Sequence, residues 1–245
     1  MTEPRIRIAT ILDLDELAAM NQKAFINSPP QTFFANLRSP LTIDARDKKP
    51  RNNQTQFLKF LIRRSFSLDA RITVVIVTDS DSGKDKIVAS TIWRPPITPG
   101  SKKNPSMLSA IRLGLLGIVA NWGLSVMGRI SEMVQASESV FDEEYKTRKI
   151  AGSPESSWYL QLAGTDPAYQ GKGYMSMLLR EAFHHAPNSV FTLEATTPRS
   201  RDMYQHFGFK VIKEVTVARG KVDSSGLVAS GDSTTGFPIY PMIKT

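Results

Sequence analysis

The stretch LAGTDPAYQGKGYMSMLLREAF, Leu162 to Phe183, holds the residues best placed to do chemistry. Gly171 and Gly173 permit positive φ and close backbone approach, and Asp166-Pro167 ends a preceding strand. Met175, Leu178, Leu179 and Ala182 mark one face of a following helix. A helix starting there aims free N–H groups and the positive end of its dipole at the loop, which suits a pyrophosphate. An ordinary glycine turn fits the same residues. Two other phosphate-loop patterns fit less well. The dinucleotide fingerprint Gly-x-Gly-x-x-Gly lacks its third glycine, because Ser176 stands there, although Glu194 lies near the acidic position that should follow. The Gly-Lys-Ser/Thr loop fails because Lys172 is followed by Gly173 and Tyr174.

The elements around this loop can be read from periodicity. RIRIA, Arg5 to Ala9, alternates as a strand, and Thr10 opens a segment with Asp13, Asp15 and Glu16 that leads into a helix through Leu17, Ala18, Met20 and Phe25. Pro29-Pro30 is expected to stop that helix, and the charged run DARDKKPRNNQ to be a solvated loop before Phe57, Phe60 and Leu61 at helical spacing. RITVVIVTD and IVASTIWRPP, joined by the turn-rich DSDSGKDK, form a hairpin closed by Pro95-Pro96. Residues 101–150 read as a mainly helical insert, with breaks around NPS and near Gly123 or Gly128. WYLQLAGT, SVFTLEAT, GFKVIKEVTVA and a final strand around FPIYPMIK follow, with a short helix from Arg199 to His206 and a polar, mobile loop over 220–236. This order predicts one α/β domain over 1–245, with a mixed sheet and helices on both faces.

Composition narrows the function classes. With 41% hydrophobic and 22% charged residues, the 245-residue chain can bury a substantial core. Its formal charge of +8 favours polyanionic partners, and a phosphorylated cofactor satisfies that as well as nucleic acid does. No basic-aromatic motif accompanies DKKPR, so nucleic acid is not expected. The absence of cysteine excludes disulfides, thiolate zinc sites and cysteine nucleophiles. His184, His185 and His206 lack metal-ligand spacing, and no metal is expected. Met1 to Leu12 has no secretory h-region, so the cytoplasm is the default expectation. The apolar stretch from Leu113 to Gly128 is shorter than a membrane span requires and is interrupted by Asn121; it is expected to be a buried or pocket-forming helix, with peripheral membrane contact as the alternative.

TDPAYQGKGYMSMLL, LEATTPRSRDMYQHFGF and the early RIATILDLDELAAM together resemble the GNAT superfamily of acyl-CoA-dependent N-acetyltransferases. The resemblance covers most of the chain outside the insert and implies a single N-acetyltransferase domain whose mixed sheet has six to seven strands. In the signature Gln/Arg-x-x-Gly-x-Gly/Ala, Gln170 and Gly173 match, while Met175 replaces a small residue. Ser200 stands where an asparagine is frequent. GFPIYPMIK is similar to the C-terminal end of puromycin and other antibiotic acetyltransferases, including fungal ones.

The resemblance implies acetyl-CoA as cosubstrate and a small-molecule primary amine as acceptor, joined in one ternary complex. Leu162, Ala163, Gly164 and Thr165 would contact the acetyl and pantetheine groups through their backbone. Gln170, Gly171, Lys172, Gly173, Tyr174, Met175 and Ser176 would hold the pyrophosphate, with Ser200 nearby and Lys172 as a rim charge. Tyr204 would protonate the departing thiolate. An alkylamine is mostly charged at neutral pH, and deprotonating it costs roughly 4 to 5 kcal/mol, so a base or water relay is useful. Glu194 is a candidate base, since its strand should end beside the loop, and Glu132 and Glu138 are weaker ones. Phe33, Phe34, Trp93, Trp158, Tyr159 and Tyr240 are candidates for the acceptor pocket. A peptide or protein acceptor and a non-catalytic acyl-CoA-binding module are the alternatives. Monomer and homodimer both remain open.

Overall fold

The computed structural model describes residues 3–78, 83–97 and 106–245. The chain runs β1 (Arg5–Ile8), α1 (Leu14–Ala24), α2 (Pro29–Phe34), α3 (Lys48–Ser67), β2 (Arg71–Thr78) and β3 (Asp85–Arg94). The insert follows as α4 (Met107–Leu113), α5 (Leu115–Trp122) and α6 (Ser125–Arg148). Then come β4 (Trp158–Thr165), α7 (Tyr174–His185), β5 (Phe191–Ala195), α8 (Pro198–His206), β6 (Lys210–Val211), β7 (Val215–Val217) and β8 (Phe237–Lys244). Among the described residues the strands form one eight-stranded arrangement in the order β1-β2-β3-β4-β5-β8-β6, with β7 also on β8. Only β4 and β5 pair in parallel.

The run RITVVIVT is continuously apolar or β-branched because β2 is covered on both faces. Ile72, Val74 and Ile76 meet Leu17 of α1 and Leu58 and Ile62 of α3. Val75 and Val77 point the other way, onto Tyr174 and Leu178 of α7. A half-buried Arg71–Glu181 ion pair further ties α7 to β2. A separate cluster unites Trp93, Leu160, Leu179, Phe191 and Tyr204 around β4, β5, α7 and α8. The mixed α/β architecture agrees with the sequence pattern, with one strand more than expected.

Several local expectations change. α1 ends at Ala24, before the prolines, and Pro29-Pro30 instead opens α2, where a missing N–H costs nothing and φ is already helical. Most of the charged run lies in a short 3₁₀ turn and the first turns of α3, where Pro50 falls early enough to be tolerated. The apolar segment 113–128 is broken at Gly114 and Gly123, and only Ile118 and Val126 in it are buried. Gly128 lies inside α6 and breaks nothing. GFKVIKEVTVA divides into β6 and β7, which both use β8 as partner. Segment 220–236 is laced to its surroundings: Thr32 Oγ1 donates to the Ser225 carbonyl at 2.5 Å, and Val228 N–H donates to the Leu37 carbonyl at 2.8 Å. The hairpin turn at 79–82 and the beginning of the insert at 101–105, including most of NPS, lie outside the described residues.

Candidate active site

β4 and β5 run side by side only from Trp158↔Phe191 to Leu160↔Leu193. Beyond Leu160, β4 continues with β3 through a register shift that skips Gln161, while β5 continues with β8 as far as Ala195↔Tyr240. The two strands therefore part at their C-terminal ends, the position where open α/β sheets accept ligands. α1 is pressed against this opening because residue 164 has no side chain. A Cβ there would come within 2.5 Å of Asn21 Oδ1 and 3.1 Å of the Phe25 ring. Asn21 is itself fixed, donating to the Leu17 carbonyl at 2.9 Å and to Ser90 Oγ at 3.0 Å.

Two connected spaces occupy the opening. An outer cleft of about 690 Å³ is lined by Lys23 to Pro29, by Ala163, Gly164 and Thr165 of β4, by Gln170 to Ser176, and by Thr196, Thr197, Arg199, Ser200, Met203 and Tyr204. An inner cavity of about 180 Å³ is lined by Gln31, Phe34, Phe57, Leu61, Met133, Tyr159, Leu162, Glu194 and their neighbours. The two share Phe25, Ser28, Ala163, Thr196, Ser200 and Tyr204. Tyr204 thus stands where they meet.

The floor of the outer cleft is backbone. Gly171 and Gly173 hold φ of 78° and 77°, the left-handed region that glycine reaches without steric cost. Gly173 is the N-cap of α7 and brings no side chain, so the first N–H groups of the helix lack a capping partner from that residue. Lys23, Lys172 and Arg199 line the cleft, and no carboxylate does among the described residues. Below the loop, buried Asp166 accepts from Ala168 N–H at 3.0 Å and lies 3.6 Å from Lys23 Nζ and 3.8 Å from Lys86 Nζ. Lys86 and Lys172 both approach the Tyr169 ring, at 4.7 Å and 4.9 Å from its centroid. This floor fits a polyphosphate on geometry and on sign of charge.

The inner cavity is built from side chains. Tyr159 donates its hydroxyl to Glu194 Oε2 at 2.6 Å. Burial pushes the Glu194 carboxyl above its ordinary range, and hydrogen bonds from Tyr159 and Ser137, with the charge of Arg94, offset only part of that. Burial, reinforced by the neighbouring Glu194 charge, raises the Tyr159 phenol well above its usual value. The Tyr204 phenol is pushed up by burial alone. It therefore stays protonated through the neutral range and can act as a donor.

The structure brings the sequence-predicted residues together in two groups. Ala163, Gly164, Thr165, Gln170 to Ser176, Ser200 and Tyr204 line the outer cleft, whereas Leu162 and Glu194 line the inner cavity. Glu194 thus shares a wall with Tyr204 and not with the glycine loop. The Tyr174 side chain is buried with Val75 and Val88, which leaves its backbone as the chief contribution to the loop. The Ser200 hydroxyl is engaged in a capping box, 2.9 Å from Thr197 Oγ1. Glu132 pairs with Lys221 at 2.8 Å, and neither it nor Glu138 lines either space. Of the candidate aromatics, Phe34 and Tyr159 reach the inner cavity. Trp93 is buried in the core against Phe191, Phe33 packs on Phe237, Trp158 meets His185, and Tyr240 lies under Arg201. Phe25, Gln31, Phe57, Leu61 and Met133 were not signalled by any motif, since they come from four separated segments. Among the described residues, no three His, Asp or Glu side chains gather as a metal site.

Residues 128–209, which include the loop, α7, β5 and α8, match the model of the Acetyltransferase (GNAT) family. Over that third of the chain the sequence is similar to the GNAT acetyltransferases. Structures similar to it include one described as histone acetyltransferase HPA2 and related acetyltransferase from Corynebacterium glutamicum, at 21% identity and a TM-score of 0.58 over 99% of this chain and 96% of that one. Arylalkylamine N-acetyltransferase 2 from Aedes aegypti is similar at 14% identity and a TM-score of 0.59, over 100% and 99% of the two chains. The polyamine N-acetyltransferase of Drosophila melanogaster is similar at 14% identity and a TM-score of 0.53, over 99% of each chain. At these identities the likeness speaks for the fold. The sequence finds no match among the curated proteins. The match begins at Gly128 and ends at Phe209, so β1 to β3, α1 to α5 and β6 to β8 lie outside it, as do the inner-cavity residues from Phe25 to Leu61. Among the described residues, no helix is long and apolar enough to cross a membrane.

Proposed function

We propose that this protein transfers an acetyl group from acetyl-CoA to the primary amine of a small molecule, by direct attack with both substrates bound. One observation carries the reading: an outer cleft with a backbone floor, lined by Lys23, Lys172 and Arg199, opens at Tyr204 into a small aromatic cavity that holds Glu194. Gln170 to Ser176 hold the pyrophosphate on N–H groups and the α7 dipole. The backbone of Leu162 to Thr165, on the strand that parts from β5, lies alongside the thioester and supplies an N–H to its oxygen. Glu194 takes a proton from the acceptor ammonium, directly or through water, and its raised affinity for protons suits a base. The neutral amine attacks the carbonyl carbon, the carbon–sulfur bond breaks as Tyr204 gives its proton to the departing sulfur, and the proton that the nitrogen sheds in becoming an amide restores the Tyr204 phenol.

The small volume and the apolar walls favour a compact acceptor over a peptide. Two structures of similar fold, named for polyamine and arylalkylamine acetylation, point the same way. The test is release of free thiol from acetyl-CoA against a panel of arylalkylamines, polyamines, amino sugars and peptides. Release is expected with a compact amine. Tight acetyl-CoA binding without release for any amine overturns the catalytic reading and leaves an acyl-CoA-binding module.

A further inference from the structure

Of the eleven large apolar side chains that stand exposed among the described residues, six lie in the short stretch from Met107 to Met127. α4 presents its residues in the reverse of the usual sense. Met107, Leu108 and Ile111 face outward with Arg112, while the smaller Ser109 and Ala110 are half-buried. The trend continues through Leu116 in α5 and Leu124 and Met127 at the start of α6, with Leu124 80% exposed. α4, α5 and α6 pack in succession on one another, so these exposed side chains stand on neighbouring helices. Apolar surface concentrated in this way marks a binding face.

Charge selects the partner. From Met107 to Met127 the sequence has no carboxylate, and the charge on these helices is positive. Arg112 is exposed on α4 itself, and the Arg63 guanidinium lies beside Gly114 at the α4–α5 junction. A second copy docked on the same face would meet like charge, whereas an anionic lipid surface meets opposite charge. Among the described residues no helix is long and apolar enough to cross a bilayer, but short helices with apolar side chains beside cations lie in its interface.

We propose that α4, α5 and the first turns of α6 dock the protein on an anionic bilayer surface. The outward apolar side chains enter the headgroup boundary, and the basic residues meet the lipid charges. The test is co-sedimentation of the full chain with vesicles of phosphatidylcholine alone or enriched in phosphatidylserine, at low and high salt. Binding is expected to the serine-enriched vesicles, to weaken with salt, and to fall at least about tenfold in the double variant Leu116→Asp/Leu124→Asp. Leu12→Asp, which removes a 92% exposed leucine outside the face, should bind as the unsubstituted protein does. Thermal melting of each variant checks that it is folded. Failure of the unsubstituted protein to bind, or equal binding by the folded double variant, overturns the proposal. So does a dimer that the double variant dissociates without any vesicle binding, since the face then belongs to a second copy.

Discussion

The outer cleft and the inner cavity meet at Tyr204 but are made of different material. The cleft floor is one contiguous loop whose active groups are backbone N–H donors, held by two left-handed glycines and the start of α7. The cavity is a set of side chains from the segment after α1 and from α2, α3, α6, β4 and β5, with a Tyr159–Glu194 hydrogen bond as its polar element. A backbone site keeps its chemistry when side chains change, provided that φ is preserved. A side-chain site can be remodelled one residue at a time. On the proposed function, the protein thus pairs a backbone grip on one substrate with an adjustable enclosure for the other.

The largest expected effect falls where the two regions meet. Tyr204→Phe keeps the ring, and so its edge-on packing against Phe209, but removes the hydroxyl. Turnover should fall by about 10² or more, with little change in acetyl-CoA affinity, in a chemistry-limited thiol-release assay. Unchanged turnover there would remove Tyr204 as the acid.

Glu194→Gln comes next and probes the cavity alone. We expect kcat/KM to fall by roughly tenfold to a hundredfold at neutral pH. The unsubstituted enzyme should lose activity on the acid side with an apparent pKa above the ordinary carboxylate range, and the variant should lack that limb. Stability should move oppositely. Because the folded pKa of Glu194 is raised, its favourable contribution is complete below the unfolded pKa and is lost as pH rises through the folded value. At neutral pH the uncharged glutamine should therefore melt no lower than glutamate, and a large drop in melting temperature would point to a structural role.

Two substitutions separate the regions directly. Gly173→Val forces a β-branched residue into φ of 77° and should raise KM for acetyl-CoA by about tenfold while leaving the amine KM near its original value. Met133→Trp fills part of the inner cavity and should raise the amine KM severalfold, leaving acetyl-CoA unaffected. Crossed effects, with either variant moving both constants equally, would show that the cleft and the cavity respond as one unit.

The same contrast explains what could be read without coordinates. QGKGYMSMLL announces its loop because glycine spacing, a strand end and helical periodicity are all local. β2 and β3 were equally plain, since continuous β-branched runs have few other uses. The cavity left no such trace. Phe57 and Leu61 come from α3, and Met133 from α6, more than seventy residues later in the chain. Only packing brings them together, and an aromatic in the core, such as Trp93, reads the same in sequence as one that lines a pocket. Pro29-Pro30 misled for a related reason: proline stops one helix and opens the next with the same chemistry, and the choice depends on where the preceding helix has already ended.

The smallest expected effect tests the one helix that serves both regions. α1 ends at Lys23-Ala24 in the outer cleft, and Phe25 just beyond it lines both spaces. At its other end, Arg7 of β1 grips Asp13 through two hydrogen bonds of 2.7 and 2.8 Å. The Arg7 guanidinium, helped by the Thr10 N–H, holds the Asp13 carboxyl down at about 2. A depressed folded pKa contributes stability above the unfolded value and loses it as pH falls toward the folded one. Because water reaches Arg7, Asp13→Asn should cost only about 1 kcal/mol, with the loss absent in strong acid, where the unsubstituted protein has already given up the ion pair. Since Asn21 and Gly164 fix the far end of α1 independently, both KM values should stay unchanged. If the amine KM rises while the acetyl-CoA KM does not, strain travels along α1 to Phe25 and the side-chain cavity is the softer of the two regions. If both rise together, α1 moves as a rigid body and the division between the regions is weaker than their construction implies.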